Sequence, residues 1–196
     1  MAVILTILFA SHGARKSRTS HGWRANGEAT GILPVALGEA TKTAGYIVDD
    51  TKEYRFTVRW GEARNTDDIE GEVTETSDIR PAREDLLNIL PHFTGTIQQR
   101  PPIYSAILIN GKRAYKLARE GEHLDMPERE VHIQALQLID IPDIDHAIFE
   151  VTCGKGTYIR ALGRDMALKL GTVAHLSALR RIRVGPFSEA DAISLD

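Results

Sequence analysis

Tyr54, Phe56, Val58 and Trp60 alternate with Arg55, Thr57 and Arg59 and are stopped by Gly61. A period of two cannot line one face of a helix, and it is what a half-buried β-strand requires. A chain with such a strand must supply neighbours to pair it and a layer to cover its apolar face. Three covering helices are legible. They are Ala82 to Leu90, ended by Pro91; Arg113 to Glu120, stopped by Gly121; and a helix capped by Thr157 and running to Leu170. The last buries Ile159, Leu162, Met166 and Leu170, and Gly171 ends it in the usual place. Residues 130 to 141 and 147 to 153 read as antiparallel strands. Leu179 to Val184 reads as a final strand with Arg181 and Arg183 on one face and Ile182 and Val184 on the other. Gly31 to Pro34 reads as an apolar turn, and Gly38 to Asp49 as a helix with Ala40, Ala44 and Ile47 on one side. Strands and helices interspersed without a βαβ rhythm predict an α+β fold with a mixed, mostly antiparallel sheet and flanking helices.

One cysteine, Cys153, in 196 residues can form neither an internal disulfide nor a multi-cysteine zinc site, which points to a reducing compartment, the cytoplasm. Residues 1–10 are apolar but fall short of the roughly 20 needed to span a bilayer, and no basic segment precedes them. Neither a targeting segment nor a membrane partner is expected. Ser11 to Ala29 follows no period. Charge is segregated: residues 49–85 carry twelve acidic and six basic side chains, whereas residues 155–183 carry seven basic ones against Asp165 alone. Lys155, Arg164, Arg180, Arg181 and Arg183 are therefore candidates for holding the phosphates of a polyanion, although a solvated helix face and a charge-protected edge strand would look the same.

The seven histidines form no i, i+4 pair and no HExxH, so no metal site is expected. The Gly154-Lys-Gly-Thr157 run lacks the Walker spacing, and no GxSxG is present. What remains is Cys153 to Arg160, a strand end, a glycine loop and a first helical turn. Such a junction aims backbone N–H groups and the positive end of a helix at an anion and presents Tyr158 and Arg160 beside it. From spacing alone an ordinary strand-to-helix turn reads equally well.

Four separated stretches make the pattern specific. They are Thr30-Gly-Ile-Leu-Pro-Val-Ala-Leu-Gly-Glu-Ala-Thr-Lys42; Lys52-Glu-Tyr-Arg-Phe56 with Thr66-Asp-Asp and Gly71; Arg100-Pro-Pro-Ile-Tyr-Ser-Ala106 with Asn110-Gly-Lys-Arg-Ala-Tyr115; and Val151 to Asp165 followed by Ala174 to Phe187. In this order they resemble the tRNA pseudouridine synthase B (TruB) family. The resemblance implies a pseudouridine synthase fold with no metal or organic cofactor, and isomerisation of uridine-55 in the tRNA T-loop; tRNA is then the partner, and a monomer is expected. It implies that Tyr54 stacks on the flipped uracil and serves as a base for the C5 proton. It also implies that Arg160 pairs with the nucleophilic aspartate, that Tyr158 and Leu179 line the uridine pocket, and that residues 100–121 form a thumb-like insertion. Leu108 stands where the family usually has lysine.

Upstream the match breaks. The family reads His-x-Gly-Thr-Leu-Asp-Pro into the segment before Gly31. Counting back puts His21 at the histidine, Asn26 at the nucleophilic aspartate and Gly27 at the proline. Residues 1–29 are accordingly read as an atypical segment and residues 30–196 as the catalytic domain. Two functions follow: a T-loop pseudouridine synthase, or a catalytically inactive T-arm RNA-binding module or fragment in which Arg160 has lost its carboxylate.

Overall fold

The computed structural model describes residues 4–10, 29–37, 51–109, 111–121 and 124–194. Strand β3 (Lys52–Trp60) is its centre, with Tyr54, Phe56, Val58 and Trp60 all buried, as the alternation requires. It pairs antiparallel with β10 (His146–Cys153) on one side and β11 (Ala174–Val184) on the other. Beyond β10 lie β9 (Arg129–Asp143) and β6 (Gly95–Gln99); beyond β11 lie β2 (Ala29–Leu37), β1 (Ile4–Ala10) and β13 (Ile193–Ser194). Short β12 (Phe187–Ser188) returns against β11. Among the described strands only β2 with β11 and β1 with β13 run parallel, so the sheet is mixed and mostly antiparallel, and the fold is α+β as expected.

Helices α1 (Arg83–Ile89) and α3 (Ile159–Lys169) carry the buried residues Leu86, Ile89, Ile159, Leu162 and Met166 into the core formed by β3, β10 and β11. At its centre Phe56 stacks on Phe149 with ring centroids 5.4 Å apart, and Trp60 meets Phe149 edge-on. The expected helix boundaries hold to within a residue or two, and Gly171 ends α3 at φ +72°. Thr157 does not cap α3. Its hydroxyl donates to Gly154 O (3.1 Å) and closes the glycine loop, leaving Tyr158 at the cap. Two small hairpins lie outside the main sheet, β4 (Glu62–Arg64) with β5 (Val73–Thr76) and β7 (Leu108–Ile109) with β8 (Lys112–Arg113), the latter leading into α2 (Ala114–Arg119). The expected helix over 38–49 lies outside the described residues. No described helix is long and apolar enough to cross a membrane.

Two sheet elements differ from expectation. Gly31 to Pro34 is part of strand β2, not a turn. Its glycine and proline obscure any alternation, but β11 pairs it only through Ala29, Thr30 and Gly31, so Pro34 falls where β1 is the one neighbour. Gly31 is required there: at φ +103°, a Cβ would sit 2.1 Å from the Arg181 carbonyl oxygen. Strand β11 also begins five residues early, at Ala174. Ala174, His175 and Leu176 are buried in succession, because α3 covers one face and the β4 hairpin the other, where His175 Nδ1 donates to Glu62 O (2.8 Å). A strand covered on both faces shows no alternation to read.

Candidate active site

The first turn of α3 gathers the chemistry. Arg160 Nη1 donates to Asp68 Oδ2 (2.8 Å) and to Thr66 O (2.7 Å), and Nη2 donates to Tyr104 O (3.0 Å). Both partners are deeply set, with side-chain exposures of 13% for Arg160 and 8% for Asp68. Asp68 is itself oriented, since its Oδ1 accepts from Thr66 Oγ1 (2.6 Å) and from the Glu70 N–H (3.2 Å). One guanidinium thus joins three segments: the loop after β4, helix α3 and the excursion between β6 and β9. Arg160 has a carboxylate partner, contrary to the expectation that Asn26 would leave it without one. Asp68 escapes a reading of the sequence because Thr66-Asp67-Asp68 looks like a polar loop. The available signal is two adjacent acids set against Arg160 and Arg164, one helical turn apart on the same face.

Arg164 repeats the arrangement one turn on. It donates to Asp67 Oδ2 (2.9 Å), Asp165 Oδ1 (2.9 Å) and Arg100 O (2.6 Å). Asp67 sits at φ +60° and is buried enough that its carboxyl is pushed up from 3.8 to about 6; burial dominates, Arg164 and Arg160 oppose the rise, and Asp165 adds to it. The fold therefore takes up a proton on Asp67 between pH 3.8 and about 6. This contribution is fully present below pH 3.8 and is lost as pH rises through 6, about 3 kcal/mol in all. Asp67→Asn tolerates the left-handed backbone and keeps an oxygen toward Arg164. Its stability relative to the unmodified chain, from urea unfolding, is expected to rise by about 3 kcal/mol between pH 4 and pH 7.5. A relative stability that falls over that range would show that the Arg164 ion pair outweighs burial.

Tyr158 is held from behind. Its N–H donates to Gln99 Oε1 (2.8 Å) and its carbonyl accepts from Gln99 Nε2 (3.1 Å), so one buried amide satisfies both backbone groups at the start of α3. Leu179 on β11 lies across from Phe56 and packs, half-buried, on the cluster that holds Tyr54 and Ile159. Tyr54 is 7% exposed, and burial raises its phenol above the ordinary value while Arg181 opposes the rise. Cys153 beside it is also buried, its thiol pushed up to about 11, which leaves it inert as a nucleophile at neutral pH. His21 and Asn26 lie outside the described residues.

The expected basic face is divided. A register shift between Arg181 and Arg183 against β3 takes the two arginines off a common side. Arg181 does not face solvent with Arg183. It is 4% exposed and donates through Nε and Nη2 to Ile32 O (2.8 and 2.6 Å). Arg183 points outward near Glu53, Arg180 pairs with Glu189 at the surface, and Lys155 is exposed on the glycine loop.

This chain matches the model of the TruB family pseudouridylate synthase N-terminal domain over residues 13–159. It matches the model of the tRNA pseudouridylate synthase B C-terminal domain over residues 160–196. It is 59% identical over 167 residues to a tRNA pseudouridine synthase B of Brucella anthropi, covering 85% of this chain and 52% of that one. To the protein of that name from Bradyrhizobium diazoefficiens it is 58% identical over 179 residues, covering 91% and 52%. The chain spans about half the length of the curated relatives it matches. A chain from a crystal structure of a Cbf5-Nop10-Gar1 complex superposes with a TM-score of 0.71 at 25% identity, over 97% of this chain and 52% of that one. A chain from an H/ACA RNP bound to a substrate RNA containing 2'-deoxyuridine shares the fold, with a TM-score of 0.68 at 22% identity over 97% and 50% of the two chains.

Proposed function

Since this chain belongs to the TruB family of pseudouridylate synthases, we propose that its described part is the uridine pocket of an enzyme that isomerises uridine-55 of the tRNA T-loop to pseudouridine. The observation that carries the reading is Arg160, fixed at the start of α3 by Asp68, Thr66 and Tyr104. There it is preset to meet a carboxylate and a nucleotide without reorganising.

The reaction breaks the bond from C1′ to N1, turns the uracil within the pocket, joins C1′ to C5 and removes the C5 proton. The target is inside a folded loop, so it must first be flipped out, and unstacking is offset by new stacking in the pocket. Tyr54 offers its ring to the uracil and its oxygen to the C5 proton; Tyr158 and Leu179 bound the same space. Residues 100–121 act as the thumb that closes on the RNA, joined to the pocket through Tyr104 O and Arg160. Lys155, Arg180 and Arg183 take phosphates. The ion pairs of Arg180 with Glu189 and of Arg183 with Glu53 are surface ones, worth about 0–1 kcal/mol each, so RNA can displace them at little cost.

Covalent chemistry at the sugar or the ring needs a carboxylate nucleophile, and an asparagine amide does not supply one. With Asn26 at that place, the chain in this sequence holds the uridine without isomerising it, which favours the second reading, an inactive T-arm RNA-binding module. Binding tests the pocket independently of turnover. A fluorescent T-arm hairpin is expected to bind tighter than a hairpin of scrambled loop sequence by about tenfold, roughly 1.4 kcal/mol. The joint change Arg180→Ala and Arg183→Ala should reduce the slope of log Kd against log salt by about one for each phosphate that is no longer neutralised. Equal affinity for the two hairpins would contradict the T-arm assignment.

A further inference from the structure

Arg181 carries a charge into the interior at the point where three strands meet. It faces Tyr54 across the β3–β11 pairing, and its backbone packs against Gly31 so closely that no Cβ fits between them. Two of its nitrogens are committed to the Ile32 carbonyl, at 2.8 and 2.6 Å. The guanidinium also reaches the Tyr54 phenol, which it hydrogen-bonds. Burying a guanidinium is costly unless its donors are used. A leucine here would fill a core strand at less cost. What the arginine supplies and an apolar residue cannot is a fixed positive charge beside a buried phenol.

Resting on the uridine-pocket reading above, we propose that Arg181 is a positioning residue: anchored on Ile32, it orients the Tyr54 phenol and stabilises the phenolate that removes the C5 proton. The phenol first gives its proton to water. Where a carboxylate has cleaved the glycosidic bond and C1′ has joined C5, the phenolate oxygen takes the proton from C5; the electron pair of the broken C–H bond restores the C5–C6 double bond, and the C6–N1 pair returns to N1, which takes a proton from water. Tyr54 is left as a neutral phenol, and Arg181 keeps its own protons throughout. Burial alone disfavours the phenolate, since it raises the Tyr54 ionisation above its ordinary value, and the adjacent guanidinium is the group that counters it. The anchor also ties Tyr54 to the first residues of β2, because the same guanidinium that faces the phenol is held on the Ile32 carbonyl.

The test follows ionisation at position 54 in the full chain, with Tyr54 replaced by 3-fluorotyrosine, whose phenol titrates lower than tyrosine and whose single fluorine gives one signal. In the Arg181→Met chain the midpoint is expected about one to three pH units higher than with Arg181 present. Arg181→Lys, which restores a charge, should bring it most of the way back. A midpoint that is unchanged or lower in the methionine chain would overturn the assignment. Should Arg181→Met not fold, Tyr54→Phe probes the same contact from the other side. It is expected to shift the Arg181 guanidinium nitrogen signals while leaving the fold intact, and unmoved signals would overturn the proposal. Neither readout needs turnover. A failed titration removes the role of Arg181 and leaves the synthase reading standing, and a failed hairpin binding does the reverse.

Discussion

Asp68→Ala is expected to destabilise the fold by about 3–5 kcal/mol, because it strands the Arg160 guanidinium in a setting nearly closed to water. The carboxylate has three roles at once. It neutralises Arg160, it accepts from Thr66 Oγ1 and the Glu70 N–H to shape the loop after β4, and that loop in turn bridges to Leu176 on β11. Removing it leaves Arg160 with two carbonyl acceptors and without the carboxylate it pairs with. Asp68→Asn keeps one oxygen toward the guanidinium and should cost less. The cleaner measurement is a double-mutant cycle by urea unfolding with Arg160→Met, in which the charge and its partner go together. The double variant should be less destabilised than the sum of the singles by about 2–3 kcal/mol. A single Asp68→Ala variant within about 1 kcal/mol of the unmodified chain would show that water reaches Arg160 and that the pair is a surface one.

The parts of this architecture that can be read from the chain are those set by local periodicity or contiguous motif. Tyr54 to Trp60 announce a strand because one face is apolar and the other polar, and Ile159 to Leu170 announce a helix because burial recurs every three to four residues. The Cys153 to Arg160 junction is contiguous, so its strand, loop and helix are legible together. What escapes depends on distant pairing. Arg160 and Asp68 are 92 residues apart and Arg181 and Ile32 are 149 apart, and nothing in either segment alone announces the partner. Arg181 reads as solvent-facing because it stands two residues from Arg183. A bulge, invisible to alternation counting, separates them and turns one inward. Strand β2 is hidden by Gly31 and Pro34, which look like turn residues until the Arg181 backbone is seen pressing against the glycine.

Replacing residues 20–29 with the family's loop, Gly-Thr-Leu-Asp-Pro included, is expected to raise pseudouridine formation by about 10⁶-fold, the order lost when a catalytic nucleophile is deleted elsewhere. On the reading proposed above, Arg160, Tyr54, Tyr158 and Leu179 bound the uridine, and what turnover lacks is the group that forms the covalent bond. Asn26→Asp alone should rescue poorly. Gly27 stands where the family's proline would stiffen the loop, and a misplacement of about 1 Å can cost about a hundredfold in rate. The gain should also vanish when Arg160→Met or Tyr54→Phe is added to the loop-replaced chain, since neither residue can act without the other parts of the pocket.

Tritium release from a T-arm transcript labelled at C5 of the target uridine is the most direct measurement, run side by side on the unaltered and the loop-replaced chains. Background release by the first and ample, Arg160-dependent release by the second is the expected result. Ample release by the unaltered chain, or none by a loop-replaced chain that still binds the transcript, would contradict the view that this pocket belongs to a uridine isomerase lacking only its nucleophile.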